Sequence, residues 1–134
     1  MLYGGKIEFK SPRQESDFKL LQPASRAVLG ELSHWLAQRG YRHAVVTDVL
    51  RTEDEQVALY GTDRFSWHRF GTAWDLRVKG GGESRHTLEE AQAIVAWLKT
   101  NWPDAEVLLH GQPNTTNNCH IHFAIRLRDS KKPN

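Results

Sequence analysis

Apolar positions along the chain alternate between helical and two-residue spacing, and these changes mark out its elements. From Ala24 to Gln38 the residues Val28, Leu29, Leu32, Trp35 and Leu36 recur at helical spacing, and Gly40 stands where a helix would stop. The segment HAVVTDVL is short and valine-rich, as a buried strand requires, and TEDEQVALY returns to helix formers with acids in the first turn. GTDRFSWHRFG has the glycines and mixed polarity of a loop. It runs into TAWDLRV, where Trp74, Leu76 and Val78 alternate with Ala73, Asp75 and Arg77. KGGGES reads as a flexible turn. Thr87 and Glu90 have capping-box spacing before a helix whose Leu88, Ala91, Val95 and Leu98 share a face, with Pro103 beyond its end.

AEVLLH reads as a strand, GQPNTTNN as a polar loop and CHIHFAIRL as a final strand. In the last of these, Ile121, Phe123, Ile125 and Leu127 face one side, while His120, His122, Ala124 and Arg126 face the other. The polar stretch from Ser11 to Ser16 and the closing SKKPN read as loose tails. The pattern predicts an α+β fold, a small and mostly antiparallel sheet packed against helices, in one domain spanning residues 1–134 with its core at about 24–127.

Composition limits the function more than it names one. A chain of 134 residues can bury a core without disulfide or metal staples, so a bound metal would be functional rather than structural. A hydrophobic fraction of 39% and a charged fraction of 25% are those of an ordinary globular protein. With 18 basic and 16 acidic residues the net charge is +2, too balanced for a dedicated nucleic-acid binder. Arg42, Arg64, Arg69, Arg77 and Arg85 would give a basic rim suited to an anionic partner if clustered, but are read as scattered surface charge. No apolar run is long enough for a signal-peptide core or a membrane span. The expectation is a monomer made in the cytosol, reaching any substrate outside the cell only if released. Cys119 is the single cysteine, so an intramolecular disulfide and a four-cysteine zinc knuckle are both excluded.

The candidate chemistry lies on the polar faces of two strands. His120 and His122 are separated by about 6.5–7 Å along one face. If this strand neighbours TAWDLRV, Asp75 shares that face with them. His68, seven residues before Asp75 on the preceding loop, can fold over it. Two imidazoles, one carboxylate and a water make an open, catalytic type of zinc site. His34, His43 and His86 are read as surface or satisfied structural residues, and His110 ends a strand. Alternation points Cys119 away from His120 and into the core, as a packed small apolar residue rather than a nucleophile. Trp67 and Trp74 are read as core.

The segment Ser66-Trp67-His68-Arg69-Phe70-Gly71-Thr72-Ala73-Trp74-Asp75 resembles the SxHxxGxAxD signature of the zinc D-alanyl-D-alanine carboxypeptidases and dipeptidases. His120-Ile121-His122 resembles the family's terminal HxH element, and in order and spacing the likeness covers roughly residues 24–127. The resemblance implies a hedgehog/DD-peptidase-like fold, zinc held by His68, Asp75 and His122, and His120 as proton carrier. Of a third element, usually SGYR, only Arg51 is kept. The family uses that arginine to hold substrate, and a planar guanidinium fork suits a carboxylate or polarised carbonyl. Ser66 would hydrogen-bond substrate or fix the His68 loop. The implied activity is hydrolysis of an amide bond in a peptidoglycan peptide, as carboxypeptidase or endolysin-type endopeptidase, with neither nucleic acid nor membrane as partner. The alternative is a zinc-bearing binding module of the same fold that has lost turnover.

Overall fold

The computed structural model describes residues 6–50, 72–111 and 118–125. Six strands and three helices lie among them, in the order β1 (Ile7–Phe9), α1 (Pro12–Phe18), α2 (Pro23–Gln38), β2 (Ala44–Asp48), β3 (Ala73–Gly80), β4 (Glu83–Ser84), α3 (Leu88–Asn101), β5 (Glu106–His110) and β6 (Cys119–Ala124). The sheet runs β1-β2-β3-β6-β5, with β4 pairing on β3. Only the β1–β2 pair is parallel; the others are antiparallel. The architecture is α+β, as the periodicity predicts.

Alternation decides which face is covered. Trp74, Leu76 and Val78 of β3 and Ile121 and Phe123 of β6 join one core with Val28, Leu29, Leu32 and Leu36 of α2 and Ala91, Ile94 and Leu98 of α3. Each such leucine or phenylalanine, fully buried, contributes about 1.5–3 kcal/mol of transfer free energy. The Trp74 and Phe123 rings stack at 4.7 Å, and Trp35 of α2 stacks on Trp97 of α3 at 5.2 Å. Polar groups at the helix–sheet junction are satisfied. Ser25 Oγ donates to the Thr72 carbonyl at 3.1 Å, and Trp74 Nε1 donates to the Ser25 carbonyl at 3.0 Å. These two bonds fix the start of β3 against α2, and with it the height of Asp75 on the opposite face.

The segment before residue 24 is more than a loose tail. Ile7 and Phe9 alternate around Glu8 and pair with Ala44 and Val46, while Pro12 opens α1 and Phe18 packs on Phe9 at 5.4 Å. The polarity of residues 11–16 belongs to the outer surface of a short helix anchored at both ends by apolar residues. Gly40 ends α2 with φ +71°, and the box between Thr87 and Glu90 caps α3. No helix among the described residues is long and apolar enough to cross a membrane.

Candidate functional site

β3 and β6 lie side by side with Asp75 opposite His122 and Arg77 opposite His120. On the far side of β6, β5 places His110 opposite His120 and Leu108 opposite His122, with Glu106 opposite Ala124. One face of the sheet therefore carries Asp75, Arg77, His120, His122, Glu106 and His110, back to back with the core. β2 carries an irregularity between Val46 and Asp48, and β3 another between Arg77 and Lys79. They bracket Asp75 and Arg77, and such bulges re-aim side chains at the margins of sites.

His122 stands between two carboxylates. Its Nδ1 is 3.0 Å from Asp75 Oδ1 and its Nε2 is 2.8 Å from Glu106 Oε1. All three are largely withdrawn from water, with side-chain exposures of 11% for His122, 5% for Asp75 and 12% for Glu106. A neutral imidazole carries one N–H and one lone pair, so it can donate to one carboxylate only. The second contact, lone pair against carboxylate, is repulsive unless a cation lies between them. That cation is either a second proton or a metal ion. An imidazole nitrogen beside a carboxylate oxygen is a donor pair of the kind zinc takes, and a carboxylate at the other ring nitrogen is the kind of contact that orients such an imidazole.

His120 is set differently. Its Nε2 is 3.8 Å from Asp75 Oδ2, beyond hydrogen-bond length, and its side chain is 24% exposed. Its ring lies 4.9 Å from that of His110, which is itself 6.3 Å from His122. Three imidazoles thus crowd one end of the polar face. Cys119 is buried in the core as alternation requires, and burial pushes its thiol pKa up, away from the reactive thiolate.

Asp75, His120 and His122 come together as expected, whereas His68, Arg51 and Ser66 lie outside the described residues, as does Trp67. Among the described residues, no group of three or more His, Cys, Asp or Glu side chains is arranged to hold a metal ion. Glu106 is the functional candidate that sequence reasoning passed over. The signal was present, because alternation in EVLLH puts Glu106 and His110 on one face, but nothing in β5 alone tells which neighbour that face will meet. The arginines are less scattered than expected: Arg42, Arg85 and Arg77 approach Glu83 at 3.1, 3.3 and 3.9 Å. His86, expected to be satisfied or exposed, is buried, and its ring nitrogens lack a hydrogen-bond partner among the described residues. Comparison of the chain with known proteins finds no matching family model, no similar curated protein and no similar solved structure.

Proposed function

We propose that this protein is a zinc-dependent hydrolase that cuts an amide bond in a peptide, of the peptidoglycan type that the SxHxxGxAxD and HxH patterns suggest. The observation carrying the reading is the imidazole of His122 held between Asp75 at 3.0 Å and Glu106 at 2.8 Å, an arrangement that a metal ion shared by His122 and Asp75 would satisfy. Asp75 and His122 would hold the zinc, with His68 as the third ligand from the sequence pattern. When bound, zinc acidifies water and polarises a carbonyl.

The remaining work falls to the protein's own groups. Glu106 accepts the Nε2–H of His122 and so leaves the Nδ1 lone pair directed at the Asp75 side. His120, close to Asp75 yet partly open to solvent, takes a proton at Nε2 from the attacking water and returns it to the leaving amine. Arg51 and Ser66 are proposed to grip the substrate. The buried face beneath Asp75 gives the site a rigid floor, so that little reorganisation accompanies the reaction.

Metal analysis of purified protein tests the reading, with about one zinc per chain expected and its loss in Asp75→Ala and in His122→Ala. Mass spectrometry of peptidoglycan digested with the zinc-loaded protein should show new amino groups or released terminal residues. Zinc without any cleavage would identify a binding module instead. Absence of zinc in the wild type would remove the hydrolase reading.

A further inference from the structure

β5 is an end strand of the sheet, and among the described residues its side away from β6 pairs with no other strand. Among those residues, no backbone hydrogen bond joins Val107, Leu108, Leu109 or His110 to anything beyond β6. Such an edge presents a row of amide and carbonyl groups ready to pair with another strand, and sheets usually blunt it by shortness, lysine, proline or a bulge. β1, the end strand on the other side, is blunted in this way, being three residues long between Lys6 and Lys10. β5 has none of these devices. It is five residues long, contains no lysine, proline or glycine, and keeps an unbroken register with β6 from Glu106 to His110. At its midpoint Leu108 is 42% exposed, an apolar side chain between Glu106 and His110 on the otherwise polar face.

The sequence Glu106-Val107-Leu108-Leu109-His110 complements itself when turned end for end. In an antiparallel pair centred on Leu108, that leucine faces its own copy, Glu106 faces the partner's His110, and Val107 faces the partner's Leu109. Side chains opposed in this way have Cβ atoms about 4.5–5.5 Å apart. An imidazole N–H therefore meets a carboxylate on each side of the axis, and the two exposed leucines cover each other. On the opposite face, Val107 and the part-buried Leu109 continue the apolar layer from one copy to the next. Moving the axis to Val107 or to Leu109 would set Glu106 or His110 against the partner's Leu108 and lose both acid–imidazole pairs. A parallel pairing in register would set Glu106 against its own copy, and like charges directly opposite are destabilising.

We propose that β5 pairs with β5 of a second copy of this chain, antiparallel about Leu108, so that two sheets join into one across a two-fold axis. The contact is isologous and closes on itself, so association stops at the dimer, in place of the monomer expected from the sequence. The axis stands normal to the sheet, which puts both polar faces on the same side of the dimer. Each copy also reaches the other's candidate site, because the partner's His110 stands beside Glu106, whose carboxylate lies 2.8 Å from His122 Nε2. The dimer does not depend on the hydrolase reading.

Sedimentation velocity of the purified chain at concentrations up to the millimolar range tests this, with a monomer–dimer equilibrium expected and no larger species. Leu108→Lys sets two ammonium groups against each other on the axis, and His110→Glu sets a second acid opposite Glu106. Each should weaken the dimer roughly tenfold or more, with the melting temperature of each variant checked against the parent at a concentration where both are monomeric. His110→Lys keeps a cation opposite Glu106 and should retain the dimer, which a general loss of packing at residue 110 would not. Opposed Cα atoms in an antiparallel pair are about 4.5 or 5.5 Å apart, within the span of a disulfide. Leu108→Cys should therefore cross-link to its own copy under mild oxidation, whereas Leu20→Cys, at a position 73% exposed and away from β5, should not; Cys119 is buried. A monomer at every concentration would overturn the proposal and leave the edge to an extended peptide of some other protein. Equal weakening by His110→Glu and His110→Lys, or equal cross-linking at residues 20 and 108, would overturn it too.

Discussion

At the level of single residues, the contacts of His122 set two measurable expectations. Under the proposed zinc reading Glu106, 2.8 Å from Nε2, orients the His122 imidazole, and carboxylates that orient a ligating histidine typically affect metal affinity by about 10–100-fold. Glu106→Ala should therefore weaken zinc binding by about that factor, measured by competition with a chromophoric chelator. Glu106→Gln keeps an acceptor oxygen and should recover part of the loss. Equal affinity in wild type and both variants would reduce Glu106 to an ordinary polar neighbour. His120 carries the opposite expectation, since its Nε2 is 3.8 Å from Asp75 and its ring is partly open to solvent. His120→Ala should keep its zinc and its melting temperature while kcat falls by about 10²–10⁴, the usual contribution of a positioned acid or base. Loss of zinc in this variant would make His120 a ligand, and retention of full activity would leave proton transfer to another group, such as His110, whose ring lies 4.9 Å from that of His120.

At the level of elements, the capping of α3 offers a direct energetic check. Glu90 N–H donates to Thr87 Oγ1 at 3.1 Å and Thr87 N–H donates to Glu90 Oε1 at 2.9 Å, so two otherwise unpaired donors at the helix start are satisfied. Thr87→Ala should cost about 1 kcal/mol of stability, read from denaturant midpoints, and leave zinc content unchanged. This box, the α2 stripe and the two alternating strands β3 and β6 were legible in the sequence because each is a local pattern with one physical solution. The alternation of CHIHFA and AWDLRV also carried the facing of Asp75 and His122, once the strands were assumed to be neighbours. What escaped the sequence depends on partners distant along the chain. β1 has three residues and little periodicity of its own, and only pairing with Ala44, Val45 and Val46 makes it a strand. Glu106 gains its meaning from β6, thirteen or more residues away, and the irregularities beside Asp75 come from strand register, which side-chain alternation does not encode.

At the level of the whole molecule, His86 makes folding sensitive to acid by a route separate from the proposed metal site. It follows the short strand β4, with Arg85 and His86 backbone N–H groups both donating to the Val78 carbonyl, at 2.8 and 3.2 Å. These bonds carry its side chain into the interior. Burial disfavours the charged ring and lowers the His86 pKa from 6.5 to about 4; Glu90, 4.0 Å from Nδ1, opposes that shift, while Arg85 and Arg42 reinforce it. The unfolded chain therefore takes up a proton here before the folded one does. Stability is complete above about pH 6.5 and is lost as pH falls toward 4, by roughly 3 kcal/mol for a shift of this size. Against a total of about 5–15 kcal/mol for a domain, that is a large share. Acid would also release the proposed zinc by protonating its proposed histidine ligands, so the two effects need separation. Denaturant unfolding of metal-free protein between pH 4 and 7 should show the decline without any metal contribution. His86→Leu, which fills a buried site with no titrating group, should flatten the pH dependence of stability whatever its absolute value at pH 7. Parallel pH curves for wild type and His86→Leu in the metal-free state would show that the acid sensitivity resides in other groups.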